Sequence, residues 1–373
     1  MPTDKQRIVV VGGGGAGSLL ARSLSSKIDI TKQSLTLVTA RPFNVYLPGQ
    51  CRTTVSDQGS LEKKTLFPYD RLFHNGKGTI RIATAKAIER NASTVGGAVV
   101  LEGGESIGYD VLVLAPGSVW EGPLAYPNDP EGVESHLSIW RTNFAESTHI
   151  VLAGGGAVGI EFAGEIKDIW PHKKVTIVHG NSALLNDTYP AKYRALLERQ
   201  LLARGVEILY NDFVEEIPLP GPASITTRRG MQFDDALIVP TRGGRPNTDF
   251  IRSCLPNLLN DTGQIRVRPT LQTLDYPDIF AIGDCTDWNE QKQIGKYYSH
   301  VSVCAANVIG YLRQVKTMKV YKGSYEMIVI TNGQNGGASY FGILWGFIFG
   351  NWVSKVLKSK HLLIGLSRRN VGL

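Results

Sequence analysis

The stretch RIVVVGGGGAGS (residues 7–18) is a β-branched run that breaks into four consecutive glycines, and an apolar helical pattern then continues through Leu19, Leu20, Ala21 and Leu24. Branching at Cβ stiffens a side chain and favours extended backbone, so the run predicts a strand. The spacing Gly12-x-Gly14-x-x-Gly17 predicts the turn that follows it. The first glycine allows the tight turn, the second lets the backbone approach a pyrophosphate, and the third lets helix and strand pack closely. The helix then begins with its N-terminus facing the phosphates. Alone, such a loop is a weak signal; between a strand and a helix it reads as a dinucleotide cradle.

The pattern recurs. HIVLAGGGAVGIEFAGE (residues 149–165) repeats strand, loop and helix with Gly154-x-Gly156-x-x-Gly159, and its helix carries Glu161 and Glu165. Each loop is followed by a second strand, SLTLVT (34–39) and KVTIV (174–178). The fingerprint expects an acid at such a strand end, on a ribose hydroxyl. The first strand instead ends at Thr39, two residues before Arg41: the hydroxyl can still bond a ribose, and the guanidinium can reach a phosphate. The second ends at His179, where the lack of an acid leaves both NADH and NADPH open. One chain is therefore expected to bind two dinucleotides, on an α/β fold with two Rossmann-like domains.

Composition agrees with a folded globular protein of more than one domain. The chain has 373 residues, 42% hydrophobic and 20% charged, an ordinary globular balance. Its 41 glycines are in excess, and many fall in the loops. Cys51, Cys254, Cys285 and Cys304 are well separated, so neither a disulfide framework nor a metal site is expected. MPTDKQRIVVV enters its first strand without a secretory or transit pattern, and Pro2 does not fit the myristoylation pattern. The longest nearly apolar run, residues 341–353, is shorter than the ~20 residues of a spanning helix. These features predict a cytoplasmic protein.

Further segments carry a resemblance. YDVLVLAPGS (109–118), ALIVPTRGGRPN (236–247) and IFAIGD (279–284) stand in the order found in the two-dinucleotide flavoprotein reductases, the pyridine nucleotide-disulfide reductase superfamily. Pro116 departs mildly from the usual threonine. The resemblance implies an FAD-binding domain at 1–121 and 255–320, into which an NAD(P)H-binding domain at 122–254 is inserted, and a short C-terminal segment at 321–373. It implies that Ala115, Gly117 and Gly243 contact cofactor and that Asp284 holds the ribityl chain of FAD. VTARPFNVYLPG (38–49), KQIGKYYSHVSVCAANVIG (292–310) and TNGQNGGASYFG (331–342) narrow the likeness. They resemble the apoptosis-inducing-factor-like, mitochondrion-associated branch that includes ferroptosis suppressors.

That branch implies hydride transfer from NADH or NADPH to FAD, then electron delivery to a quinone-type acceptor. Its implied catalytic residues here are Glu161 near the nicotinamide, Lys292 near the flavin or acceptor, and His300 as a proton donor. Each has a plainer alternative: a solvated carboxylate, an exposed lysine, a satisfied core histidine. Cys51 raises the alternative of a single-cysteine NADH oxidase; a packing role is the favoured reading. A signalling or apoptotic effector that binds nucleic acid or membrane is the other alternative.

Charge bears on that choice. Residues 311–373 hold nine Lys or Arg and a single acid, Glu326, while the rest of the chain is nearly neutral. Positive charge confined to a tail beside tryptophans favours a lipid partner over nucleic acid. In FGILWGFIFGNWVSKVLKSK (341–360), Phe341, Leu344, Trp345, Ile348, Trp352 and Val356 follow three- and four-residue spacings, which predicts an amphipathic helix. Peripheral membrane contact through 341–369 is the expectation, at a surface such as the mitochondrial outer membrane or lipid droplets.

Overall fold

The computed structural model describes residues 5–91 and 95–373; Pro2 lies outside them. The chain begins β1 (Gln6–Val11), α1 (Gly15–Ser25), β2 (Gln33–Thr39), α2 (Gln50–Val55), β3 (Thr79–Ile82) and β4 (Val111–Leu114). A second series follows: β5 (His149–Ala153), α3 (Ala157–Ile169), β6 (Lys174–His179), α4 (Ala191–Leu202), β7 (Val206–Tyr210), β8 (Pro222–Thr226) and β9 (Gln232–Pro240). The chain then adds β10 (Ile279–Ala281) and α5 (Ile294–Leu312). Its end is β11 (Met327–Thr331), β12 (Gly337–Phe341), β13 (Phe347–Phe349), α6 (Asn351–Ser354), a π-helical turn at Lys355–Ser359, and α7 (Ile364–Asn370).

The first sheet has the order β10-β4-β1-β2-β3, parallel throughout. Ile8, Val9, Val10 and Val11 are all buried. Their unbroken apolar run is what a strand covered on both faces requires. α1 and α5 pack together, and β10 returns to this sheet beside β4 after the whole second series. The second sheet has the order β7-β6-β5-β9-β8, parallel except for the β8–β9 edge. Two Rossmann-like α/β units result.

The glycine loops owe their shape to close backbone contacts. Gly12 has φ +109°, and a Cβ there would stand 2.1 Å from the carbonyl oxygen of Ala115. Gly154 has φ +138°, and its Cβ would stand 2.6 Å from the oxygen of Thr241. Both positions exclude other residues on conformation and on space.

The C-terminal segment departs from the expected helix. β11, β12 and β13 form an antiparallel sheet, so the stretch at 341–349 is the turn and second arm of a hairpin. Helical structure begins only at Asn351. The physical reason is alternation. Ile328, Tyr340 and Ile348 lie in one cross-strand row and pack on the core of the second unit, while Phe347 and Phe349 stay exposed. Over a few residues a period of two satisfies the same apolar positions that suggested a helix. Gly346, with φ +81°, and Gly342 pack against the Tyr340 ring and flank the turn.

Candidate active site

Three cavities meet between the two units. The first, about 650 Å³, lies over the first glycine loop and is lined by Gly12, Gly14, Thr39, Arg41, Ala115, Gly117, Asp284 and others. The second, about 590 Å³, lies over the second loop and is lined by Gly154, Gly156, His179, Gly243 and Lys292 among others. The third, about 370 Å³, holds Tyr46, Cys51, Phe67, Glu161, Tyr298, Met327 and Lys358 in its wall. Trp120 and Asp284 line all three.

The loop geometry fits dinucleotides. Gly14 and Gly156 each stand at a helix N-cap with extended ψ, and a Cβ at either would meet nothing within 4 Å. Backbone is therefore open to the cavity at the helix N-termini, where N–H groups and the helix dipole favour phosphate. Gly17 and Gly159 are internal instead: added Cβ atoms would press on Gly12 O at 1.8 Å and Gly154 O at 2.0 Å.

At the far end of the first cavity, Thr39 Oγ1 accepts a long bond from the Arg41 amide (3.4 Å). Arg41 donates to the carbonyls of Tyr126 (2.7 Å) and Pro127 (3.1 Å), which fixes the guanidinium against the wall. In the second cavity, His179 Nδ1 accepts the Gly155 amide (3.1 Å), so its proton sits on Nε2, 3.2 Å from Leu185 O. Burial lowers the His179 pKa, and the ring is neutral. The strand end therefore offers neither a carboxylate nor a cation.

Asp284 stands where the cavities join. Its carboxylate accepts from Tyr297 Oη (2.7 Å) and from Ser118 Oγ (3.3 Å). Burial pushes its pKa up, against those hydrogen bonds. The Tyr297 ring also covers the start of α1 at Gly15.

The expected catalytic residues separate. Lys292 lines the second and third cavities, donates to Trp288 O (2.8 Å), and has its pKa lowered by burial. Glu161 lines the third cavity and is absent from the wall of the second, where the resemblance had placed it near the nicotinamide. Its Oε1 is held by Lys358 Nζ (2.5 Å) and by the Thr331 amide (3.1 Å), which turn the carboxylate toward the C-terminal segment.

His300 lines none of the three cavities and is buried. Its Nδ1 accepts the Gly283 amide (3.1 Å), and Nε2 faces Glu290 Oε1 at 2.8 Å. Both nitrogens are engaged, and the ring supports the loop that carries Asp284, the arrangement of a satisfied core histidine.

Cys51 lines the third cavity, but burial, then Glu161, raise its pKa well above the ordinary range. It is a thiol at neutral pH, and the arrangement opposes thiolate chemistry.

Sequence reading missed Trp120, Tyr297 and Lys358. Trp120 sits two residues beyond the 109–118 segment and Tyr297 within the 292–310 segment, so a search of the aromatics in and beside those segments could have found them. Lys358 gave no local signal, since it stands in a lysine cluster distant in sequence from its partner Glu161.

The pyridine nucleotide-disulphide oxidoreductase family matches residues 6–307. The chain is 46% identical to FAD-dependent oxidoreductase FVFD30 of Flammulina velutipes, over 85% of this chain and 98% of that protein. It is 29% identical to apoptosis-inducing factor homolog B of Dictyostelium discoideum, over 98% and 96% of the two chains. It is 27% identical to mouse ferroptosis suppressor protein 1, over 96% and 94%. Among solved structures, the sulfide:quinone oxidoreductase of Aquifex aeolicus superposes with a TM-score of 0.77 at 15% identity, over 98% of this chain and 92% of that one. FAD is the cofactor and NAD(P)H the electron donor that these matches support. With two dinucleotide cradles facing each other across Asp284, the chain belongs to the pyridine nucleotide-disulphide oxidoreductase family.

Proposed function

We propose that this protein is an FAD-dependent NAD(P)H oxidoreductase that reduces a quinone-type acceptor at a membrane surface. The observation that carries the reading is the third cavity: it is walled mainly by apolar and aromatic side chains and meets both nucleotide cavities at Trp120 and Asp284. The discontinuous flavin domain and inserted nicotinamide domain of the sequence reading belong to this proposal.

FAD, when bound, would supply the redox chemistry that links NAD(P)H oxidation to reduction of the acceptor. The chain supplies orientation. The first loop, with Gly12, Gly14 and Gly17, and Asp284 hold FAD; the second, with Gly154, Gly156 and Gly159, and Gly243 hold the donor. Tyr46, Phe67 and Leu47 give a flat ring apolar walls. Reduction of a quinone consumes protons, and Glu161 paired with Lys358 in that wall would supply them. Lys292 places a cationic group between donor and acceptor cavities.

The purified protein is expected to show a visible flavin spectrum that NADH or NADPH bleaches without air and a short-chain quinone restores. A protein that binds no flavin, or oxidises neither nucleotide, overturns the reading. Lys358→Met is expected to slow quinone turnover by about a hundredfold, the usual contribution of positioned proton transfer. Anaerobic flavin reduction by NAD(P)H should change by less than about threefold, since Lys358 does not line the donor cavity. Equal loss in both half-reactions would remove Lys358 from the acceptor step.

A further inference from the structure

We infer that the β12–β13 hairpin is an insertion element for anionic lipid, and that it sets the mouth of the acceptor cavity against the bilayer. The inference rests on the acceptor reading above for the cavity's role, but its own observations are independent of catalysis.

The hairpin tip is exposed and strongly apolar. Trp345 is 94% exposed and Leu344 77%. Leu344 also has φ +57°, a left-handed conformation that glycine or asparagine adopts at lower cost than leucine. A large apolar side chain at such a position, in water, is unfavourable on both counts. An outlier of this kind, exposed and apolar, is a basis for a functional hypothesis.

The exposed surface continues from the tip to the cavity. Met327, Phe341 and Phe347 form one cross-strand row on the face of the sheet opposite Ile328, Tyr340 and Ile348. The Phe341 and Phe349 rings lie 6.0 Å apart, and those of Phe347 and Phe349 6.4 Å apart. Met327 belongs both to this row and to the cavity wall, and Tyr298 and Leu363, exposed like Met327, line the same wall from outside the sheet. Trp352 is 77% exposed, and Val356 one helical turn later is exposed as well.

Charge selects the occupant. From residue 327 to the end there are five Lys or Arg and no Asp or Glu. Lys360 and Arg369 are exposed among them, while Lys358 is spent on Glu161. Tryptophan and phenylalanine at the interfacial level, with lysines able to reach headgroups, fit an anionic leaflet. A second protein copy would bring the same positive charge against itself. Among the described residues no helix is long and apolar enough to cross a membrane, so attachment through this element is peripheral.

The test is co-sedimentation of the flavin-loaded full chain with phosphatidylcholine vesicles, with and without phosphatidylserine, in the absence of NAD(P)H. Binding is expected to be at least tenfold tighter with phosphatidylserine and to weaken with salt. The double variant Leu344→Asn, Trp345→Ser is expected to bind at least tenfold more weakly. Asparagine relieves the left-handed position, so the variant should fold as well as the parent; its flavin spectrum and NAD(P)H oxidation with ferricyanide should be unchanged. Lys360→Glu with Arg369→Glu should reduce the phosphatidylserine preference.

Absence of vesicle binding by the parent, or binding unaffected by the tip variant, overturns the inference. So does a parent dimer in sedimentation that the tip variant converts to monomer, which would make the face an interface between copies. Loss of NAD(P)H oxidation by the parent would sink the enzymatic reading alone, because vesicle binding is measured without it.

Discussion

A Gly156→Asp variant is expected to remain yellow and to resist bleaching by NAD(P)H. The site tolerates the new side chain: a Cβ there meets nothing within 4 Å, and the residue stands at the N-cap of α3 with φ −76° and ψ −176°. Aspartate is a favoured N-cap residue, so the helix should be no less stable. Its carboxylate, however, would occupy the open space where the donor's pyrophosphate approaches the helix N-terminus. Like charges about 5 Å apart at an effective dielectric constant of about 20 repel by about 3 kcal/mol. Affinity for either nucleotide should fall by about a hundredfold or more. Anaerobic rapid mixing checks this, with dithionite as a control that the bound flavin is still reducible. Bleaching at the parent rate would remove the second loop from the donor site.

Replacement of Arg52 by Met should destabilise the protein by about 3–5 kcal/mol, the range for stranding one member of a buried ion pair. Arg52 donates to both oxygens of Glu165 at 2.7 and 2.8 Å and to Ser359 O at 2.8 Å. Both side chains are almost wholly buried. The guanidinium thus joins α2 of the first unit, α3 of the second and the C-terminal π-helical turn. Burial raises the Glu165 pKa, with the Arg52 bonds opposing it. Without Arg52 the carboxylate would be left charged and dry, or would take up a proton. Urea unfolding of the flavin-loaded protein measures the loss. The double variant Arg52→Met, Glu165→Leu should recover most of it, because two apolar side chains carry no desolvation penalty. A loss below about 1 kcal/mol in the single variant would show that the pair is solvated.

The two variants act on opposite kinds of information. Gly156 was legible in the sequence because the need it meets is local: a turn, a close backbone approach and a helix start, all within a few residues. Gly12, Gly14, Gly17, Gly154, Gly159 and the β-branched strands before them were legible for the same reason. Arg52 was not, since nothing near it in the chain announces Glu165 or Ser359. Lys358 likewise read as one lysine of a basic cluster until the fold set it on Glu161.

The tail shows where a local pattern misleads. Residues 341–356 satisfy helical spacing, yet pairing of Phe341 with Phe347 and of Tyr340 with Ile348 imposes the alternation of a strand. His300 read as a candidate donor because a histidine can serve either role; packing beside Gly283 and Glu290 took both of its nitrogens. By itself the sequence determined the two nucleotide loops, the α/β fold class and the charge of the tail, because these depend on backbone conformation and composition. Only the tertiary structure decided that Glu161 faces Lys358, that Trp120 and Asp284 join three cavities, and that Leu344 and Trp345 stand in water. Those facts depend on contacts between residues distant in the chain, whose pairing is set by packing and not by neighbours in sequence.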